Sequence, residues 1–266
     1  MADNAPKAPR QLALVLLVAR FLRAVGGVSL LASETMRCSF RGPFARREFV
    51  HQVETVGIQS LTIAILTAAF SSMVMTVQFA VQMTRFGVKE YVGSVVSLSL
   101  VRELGPALTA LMVGGRVGAG IAAELGSMRV TEQVDAIRAM GADPVRKLVV
   151  PRVLATTLAL PLLTIFADIL GVLGAMVVAR LDSGVGMTLF LESMLRSVTI
   201  EDFMHGLVKT VFFGFLLGVI ACYKGLSTSG GTEGVGRATT ETVVITSLVT
   251  LCVDFVLTNL LLGFGL

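Results

Sequence analysis

An all-α, polytopic membrane protein is the fold class this sequence predicts, and three observations predict it. Hydrophobic residues make up 54% of the 266 positions and charged residues only 15%, where soluble domains carry about 25% charge. The charges are grouped in islands rather than spread. Between the islands lie five apolar runs, each at least as long as the roughly 20 residues needed to cross a bilayer. The length accommodates one membrane domain without a sizeable soluble one. The net charge of +4 reads as a topology signal rather than a nucleic-acid footprint. Three scattered cysteines, Cys38, Cys222 and Cys252, and two histidines, His51 and His205, have no metal-ligand or disulfide spacing.

Residues 1–10 are polar and expected to be disordered. Residues 11–48 form an interfacial helix and a basic connector. The apolar stretch from Gln11 to Ser33 contains Arg20 and Arg23. Each would cost about 2.5–3.5 kcal/mol at the centre of a span, so the stretch is expected to lie in the interface with its arginines at headgroup level. Arg37, Arg41, Arg46 and Arg47 follow as a basic cluster.

Residues 49–266 form the membrane domain. The expected spans run from about Val56 to Met83, Val92 to Ala123, Val149 to Ala179, Ile200 to Tyr223 and Thr239 to Leu262. The second should kink near Pro106, where a backbone hydrogen bond is lost. Pro151 and Pro161 are further kink points on the third. Gly114, Gly118 and Gly120, and separately Gly214 and Gly218, offer small-residue packing faces. Arg180 to Asp202 is read as an external segment, ending in a capping box from Thr199 to Asp202. Lys224 to Arg237 is read as a Gly/Ser/Thr-rich loop. Basic residues concentrate before the first span, in the central island and in this last loop, which places the N-terminus in the cytoplasm and the C-terminus outside.

The central island, about residues 125–144, reads as a short amphipathic helix. Thr131 is the expected N-cap, Glu132 an anion favoured by the helix dipole, and Val134, Ile137 and Met140 an apolar stripe. Gly141 stops the helix, and Asp143-Pro144 starts another. Such a helix between two spans is either a plain connector or a docking element for a soluble partner.

Charges inside the spans are the second signal. By helical rise, Arg102 and Glu103 lie about 15 Å below the outer end of span two, with Lys209, Asp254 and Asp168 at similar depth. Charges there face a cavity or one another. Arg102, Glu103, Lys209 and Asp254 sum to zero, so they form either a structural network or one that also lines a substrate cavity. No phosphate-binding Gly-x-x-x-x-Gly-Lys-Ser/Thr loop is present, and Gly114 to Gly120 lacks the lysine. The chain is therefore expected to be no enzyme by itself and to need no cofactor or metal.

Several motifs in order resemble one family. Asp135-Ala136-x-x-x-x-Gly141 resembles the Glu-Ala-Ala-x-x-x-Gly loop by which bacterial ABC importers engage their ATPase. Leu104-Gly105-Pro106, Gly115-Arg116-x-Gly118, Ala123-Glu124-x-Gly126-x-Met128-Arg129-x-Thr131-Glu132-Gln133 and Asp143-Pro144 resemble the MlaE/YrbE family. So do Leu160-Pro161-Leu162-Leu163-Thr164, Arg237-Ala238-Thr239-Thr240 and Asp254-Phe255-Val256-Leu257-Thr258. That family supplies the permease subunit of Mla- and Mce-type lipid-transport ABC systems.

The resemblance implies a homodimer in the bacterial inner membrane, two copies of a separate ATPase, and a periplasmic MCE-domain protein forming a hexameric ring. It implies phospholipid as substrate, moved between the inner membrane and the MCE partner to maintain outer-membrane lipid asymmetry. It carries onto Arg102, Glu103, Lys209 and Asp254 as the substrate region; the acyl chains of such a substrate need apolar walls, for which Met73, Val77, Phe79 and Leu104 are the candidates. It carries onto Glu124, Arg129, Thr131, Glu132, Gln133, Asp135, Gly141 and Asp143 as the ATPase-coupling region. Asp168 has no such support. A permease for another hydrophobic molecule such as a sterol, and a membrane scaffold that transports nothing, are the alternatives.

Overall fold

The structure, a computed structural model, describes residues 10–39 and 46–263. The expected disorder of the N-terminus, Arg41 of the basic cluster, and the last three residues fall outside the described residues. The described residues form helices and no strands. In order they are α1 (Arg10–Ser39), α2 (Arg46–Arg85), α3 (Val92–Ser99), α4 (Gly105–Val113), α5 (Ala119–Val130), α6 (Gln133–Ala139), α7 (Val150–Leu181), α8 (Met187–Ser197), α9 (Ile200–Leu226) and α10 (Gly231–Gly263). Five segments are long and apolar enough to cross a membrane: Arg46–Arg85, Lys89–Val130, Val145–Leu181, Ile200–Leu226 and Gly231–Leu261. α1 is a separate 30-residue helix packed on α7 and α9.

The main packing contact is α2 against α7, and it follows from a four-residue repeat. Gln52, Val56, Ser60, Ala64, Ala68, Ser72, Thr76 and Ala80 are the buried residues of α2. Positions four apart form one ridge along a helix, and most of these side chains are small, so the two backbones approach closely. α10 repeats the device. Ala238, Thr242, Thr246 and Thr250 are buried at the same spacing. The Thr242 and Thr246 hydroxyls donate to carbonyls one turn back, both at 2.7 Å, so neither is left a free donor. It rests on Gly114 and Gly118.

The second span is one helix interrupted by two π-helical turns, Leu100–Leu104 and Gly114–Gly118. The expected kink at Pro106 takes this form. The π turn precedes the proline, which then occupies the first turn of α4, where a missing N–H is tolerated. A third π turn, Val145–Val149, leads into α7. Pro151 therefore sits in the first turn of α7 rather than at a kink, while Pro161 lies inside that helix.

Two loop expectations are corrected. The stretch from Lys224 to Arg237 is mostly helical, because α9 continues to Leu226 and α10 begins at Gly231. The segment from Arg180 to Asp202 contains α8, whose Phe190 is fully buried against Gly93. Ser94 binds this helix through the carbonyl and hydroxyl of Ser193 and the hydroxyl of Ser197, each at 2.7 Å. The capping box at Thr199 and Asp202 forms as expected. The Gly214 and Gly218 face packs on Thr156 and Val153 of α7 within the chain.

α9 meets the second span backbone to backbone at Gly206, where a Cβ would strike the Val101 carbonyl oxygen and crowd Pro106. Gly206→Ala is therefore expected to destabilise the protein by about 1–3 kcal/mol. Gly236→Ala, with nothing within 4 Å of its Cβ position, should leave thermal unfolding unchanged or raise its midpoint.

Candidate functional site

The site begins with a backbone defect. Pro106 has no N–H to offer the carbonyls one turn behind it, which leaves the Arg102 oxygen free on the face toward α9. Gly206 lets α9 come close enough for Lys209, one turn further on, to reach that oxygen. The Lys209 ammonium donates to the Arg102 carbonyl at 3.1 Å, to Glu103 Oε2 at 2.6 Å and to Thr258 Oγ1 at 2.7 Å. Asp254 Oδ1 lies 3.3 Å away as a second ion-pair partner. Asp254 and Thr258 continue the four-residue ridge of α10, so the same periodicity that packs this helix aims them at Lys209. The ammonium is buried, with 1% of the residue exposed. Glu103 is more open, with 40% of its side chain exposed against 18% for Asp254.

Arg102 does not join this cluster through its side chain. Its guanidinium pairs with Asp202 Oδ1 at 3.2 Å and meets His205 Nδ1 at 3.2 Å. The expected four-residue neutral set is thus two sets. Lys209 faces two carboxylates, and Arg102 is neutralised by Asp202, which also caps α9 through its other oxygen. The capping box announced Asp202 as a helix start and hid this second role. His205 carried no motif, although it lies one turn before Lys209. Asp168 is buried apart from both sets, packed on Gly105, and its Oδ1 has no hydrogen-bond partner among the described residues.

Of the expected apolar walls, Leu104 is half-buried beside Glu103 on the π turn. Met73 instead packs on Gly174 of α7, and Phe79 on the outer core with Val172 and Met176. Val77 is half-buried on α2.

The central island is helical but differs in detail. Thr131 closes α5, because its hydroxyl and N–H both bond back to the Ser127 carbonyl. Glu132 occupies the N-cap position of α6 with a left-handed φ of 60°, a conformation that costs a non-glycine residue roughly 1–2 kcal/mol. α6 ends as expected. Gly141 takes φ 76°, Ala142 bonds to the Ile137 carbonyl and Gly141 to that of Arg138, the paired bonds of a glycine-terminated helix. Asp143 Oδ1 accepts from Val145 N at 2.9 Å to start the next helix.

The expected outward stripe is corrected. Val134 and Ile137 are buried in the main core, and only Met140 is exposed, at 72%. The surface that α6 presents is polar, formed by Glu132, Gln133, Asp135 and Arg138. Arg129 holds both Asp135 oxygens at 2.7 Å. Glu124 does not belong to this surface: it receives a 2.6 Å bond from Arg152, which is buried at 2% exposure.

A bundle of five potential spans, with ion pairs buried between them and a short polar helix between the second and third, is the architecture of a polytopic α-helical membrane protein. The sequence matches the Permease MlaE family over residues 49–260, and the chain belongs to that family. It is 39% identical over 241 residues to a probable ABC transporter permease of Rickettsia felis, covering 91% of this chain and 93% of the relative. It is 36% identical over 249 residues to the intermembrane phospholipid transport system permease MlaE of Haemophilus influenzae, covering 92% and 94%. It is 36% identical over 232 residues to the chloroplastic protein trigalactosyldiacylglycerol 1 of Arabidopsis thaliana, covering 87% of this chain and 66% of the relative.

The geometry ranks the ion-pair members. Removing one partner from a buried pair costs about 3–5 kcal/mol, less where the remaining charge can reach water. Lys209→Met is expected to destabilise most, because both carboxylates lose their cation. Asp254→Asn should destabilise least, since Lys209 keeps Glu103. A double-mutant cycle on Lys209 and Asp254, read by thermal unfolding in nanodiscs, should show the double change to be milder than the sum of the singles. Additive effects would mean the two residues do not interact.

Proposed function

We propose that this chain is the membrane subunit of an ABC transporter that moves phospholipid between the inner membrane and a periplasmic MCE-domain partner, and so maintains outer-membrane lipid asymmetry. The single observation that carries the reading is the Lys209 cluster on a chain of this family. A three-helix ion-pair network within the bundle is costly to build and normally marks a substrate path. The name of the Haemophilus relative supplies the substrate class. Two copies of the chain would enclose a cavity, with Leu104 and Val77 among its apolar walls and the half-open Glu103 and Arg102 at its polar end. Met73 contributes less directly, as part of the α2–α7 packing. The ring of MCE domains would sit at the outer face, and the C-terminus on the same side. The N-terminus and α6 would lie in the cytoplasm, as the distribution of basic residues requires.

In this reading α6 is the coupling helix, and two ATPase copies dock on its polar face. Glu132, Gln133, Asp135 and Asp143 meet the partner. Arg129 orients Asp135, and Thr131 and Gly141 shape the two ends. Glu124 acts from behind by holding Arg152. Mass spectrometry of lipid that copurifies with the chain tests the substrate. Phospholipid enriched over the bulk membrane is the expected result, and a sterol or no enriched lipid would overturn it.

Asp135→Lys tests the docking face. The exposed pairs it removes are worth roughly 0–1 kcal/mol each, so the permease should remain folded. The change places three cations together, and ATP turnover of the complex should fall at least about tenfold. Normal turnover and transport in an intact complex would exclude a docking role for this face.

A further inference from the structure

A second polar site lies further along the same span. Arg116 is fourteen positions after Arg102, roughly 21 Å along the helix by its rise. Measured from Val92 at the outer end, its depth is roughly 36 Å. The hydrocarbon core is about 30 Å thick, so Arg116 stands at the headgroup level of the opposite leaflet. It lines a cavity of about 340 Å³ between α2 and α5, with Gln52, Thr55, Gln59, Val117 and Ile121 among the walls. Glu124 also lines it, but that carboxylate is already held by Arg152.

The Arg116 guanidinium donates to Gln59 Oε1 at 3.0 Å and to Ser60 Oγ at 3.2 Å. Both partners are neutral, and Arg116 makes no ion pair among the described residues. Two of its five donors are used to fix its direction, while the side chain stays exposed. The Gly114–Gly118 π turn presents it toward α2 while its glycines lie under the α10 ridge. A cation oriented by neutral acceptors, open to a cavity and lacking a counterion, suits an anion. Arginine's planar fork matches phosphate oxygens, and basic pockets between spans on the cytoplasmic side bind lipid headgroups. The apolar walls Val56, Val117 and Ile121 suit an acyl chain and offer nothing to a free phosphate ion.

We infer that this cavity is a phospholipid headgroup site at the cytoplasmic leaflet, in which Arg116 donates to the phosphodiester and Gln59 positions Arg116. The inference rests on the reading of the chain as a phospholipid permease and adds a second site, one membrane leaflet away from Lys209.

The test uses a photoreactive benzophenone side chain introduced at Gly120, which is exposed and has nothing within 4 Å of its Cβ position. The full chain is reconstituted in nanodiscs of dioleoylphosphatidylglycerol and dioleoylphosphatidylcholine, with thermal unfolding as the folding control. Crosslinking to lipid is expected in the parent. Arg116→Gln should reduce it at least about tenfold, as loss of a charge-assisted contact predicts. Gln59→Ala, which leaves the charge in place, should reduce it about two- to tenfold. Arg85→Gln, exposed at the C-terminal end of α2, should leave it unchanged. Undiminished lipid crosslinking in both Arg116→Gln and Gln59→Ala would overturn the site. Crosslinks to a second copy of the chain in place of lipid would do the same, by showing a subunit interface there. Competition by millimolar inorganic phosphate would show the ligand to be the free ion and overturn the lipid assignment. A failure confined to Gly120 crosslinking, with phospholipid still copurifying, would sink this site and leave the permease reading standing.

Discussion

One ammonium group sets the terms for this bundle. Lys209 brings three N–H donors into the interior of a membrane protein, where each must find an acceptor or cost several kcal/mol. Three are present: the Arg102 carbonyl, Glu103 and Thr258. They come from the second and fifth spans, and the lysine comes from the fourth. Each is available for a local reason. Pro106 frees the carbonyl, the π turn carries Glu103, and the α10 ridge brings Thr258 and Asp254 into line. The cluster therefore fixes the mutual register of three helices, and none of its members can be altered without disturbing that register.

The second span gains its versatility from its two π turns. A π turn inserts an extra residue into an α-helix, so side chains after it are rotated relative to those before. In this span both turns hold charged residues, Arg102 and Glu103 in one and Arg116 in the other. The first faces α9 and α10, and the second faces α2. Interrupting the helix twice allows one span to present charge to different neighbours at two depths while Gly114 and Gly118 stay packed.

What the sequence made legible was set by what is local. The five apolar helices, the capping box at Thr199, the stop at Gly141 and the common level of Glu103, Lys209 and Asp254 all follow from composition, spacing and rise. Pairings between helices did not follow, because depth alone does not say which way a side chain points. Arg102 was grouped with Lys209 on depth, yet it turns to Asp202 and His205. Thr131 reads equally well as the end of one helix or the start of the next, and only the left-handed Glu132 decides between them. The ridge from Ser60 to Ala80 repeats small side chains every four residues, but the general hydrophobicity of the run masks it in the sequence.

The inward turn of the α6 stripe changes what that helix can do mechanically. An amphipathic helix whose apolar face met a partner would be held by the partner and could move independently of the membrane domain. Here Val134 and Ile137 are packed in the same core as Leu148, Val153, Phe213 and Leu217. Phe213 lies one helical turn from Lys209 on α9. Protein cores are packed as densely as organic crystals, so a displacement of α6 cannot be absorbed locally. It has to be accommodated by the core those residues join, to which α7 and α9 contribute. The polar face is left exposed and the apolar face is joined to the bundle, and this division follows from two buried residues three positions apart.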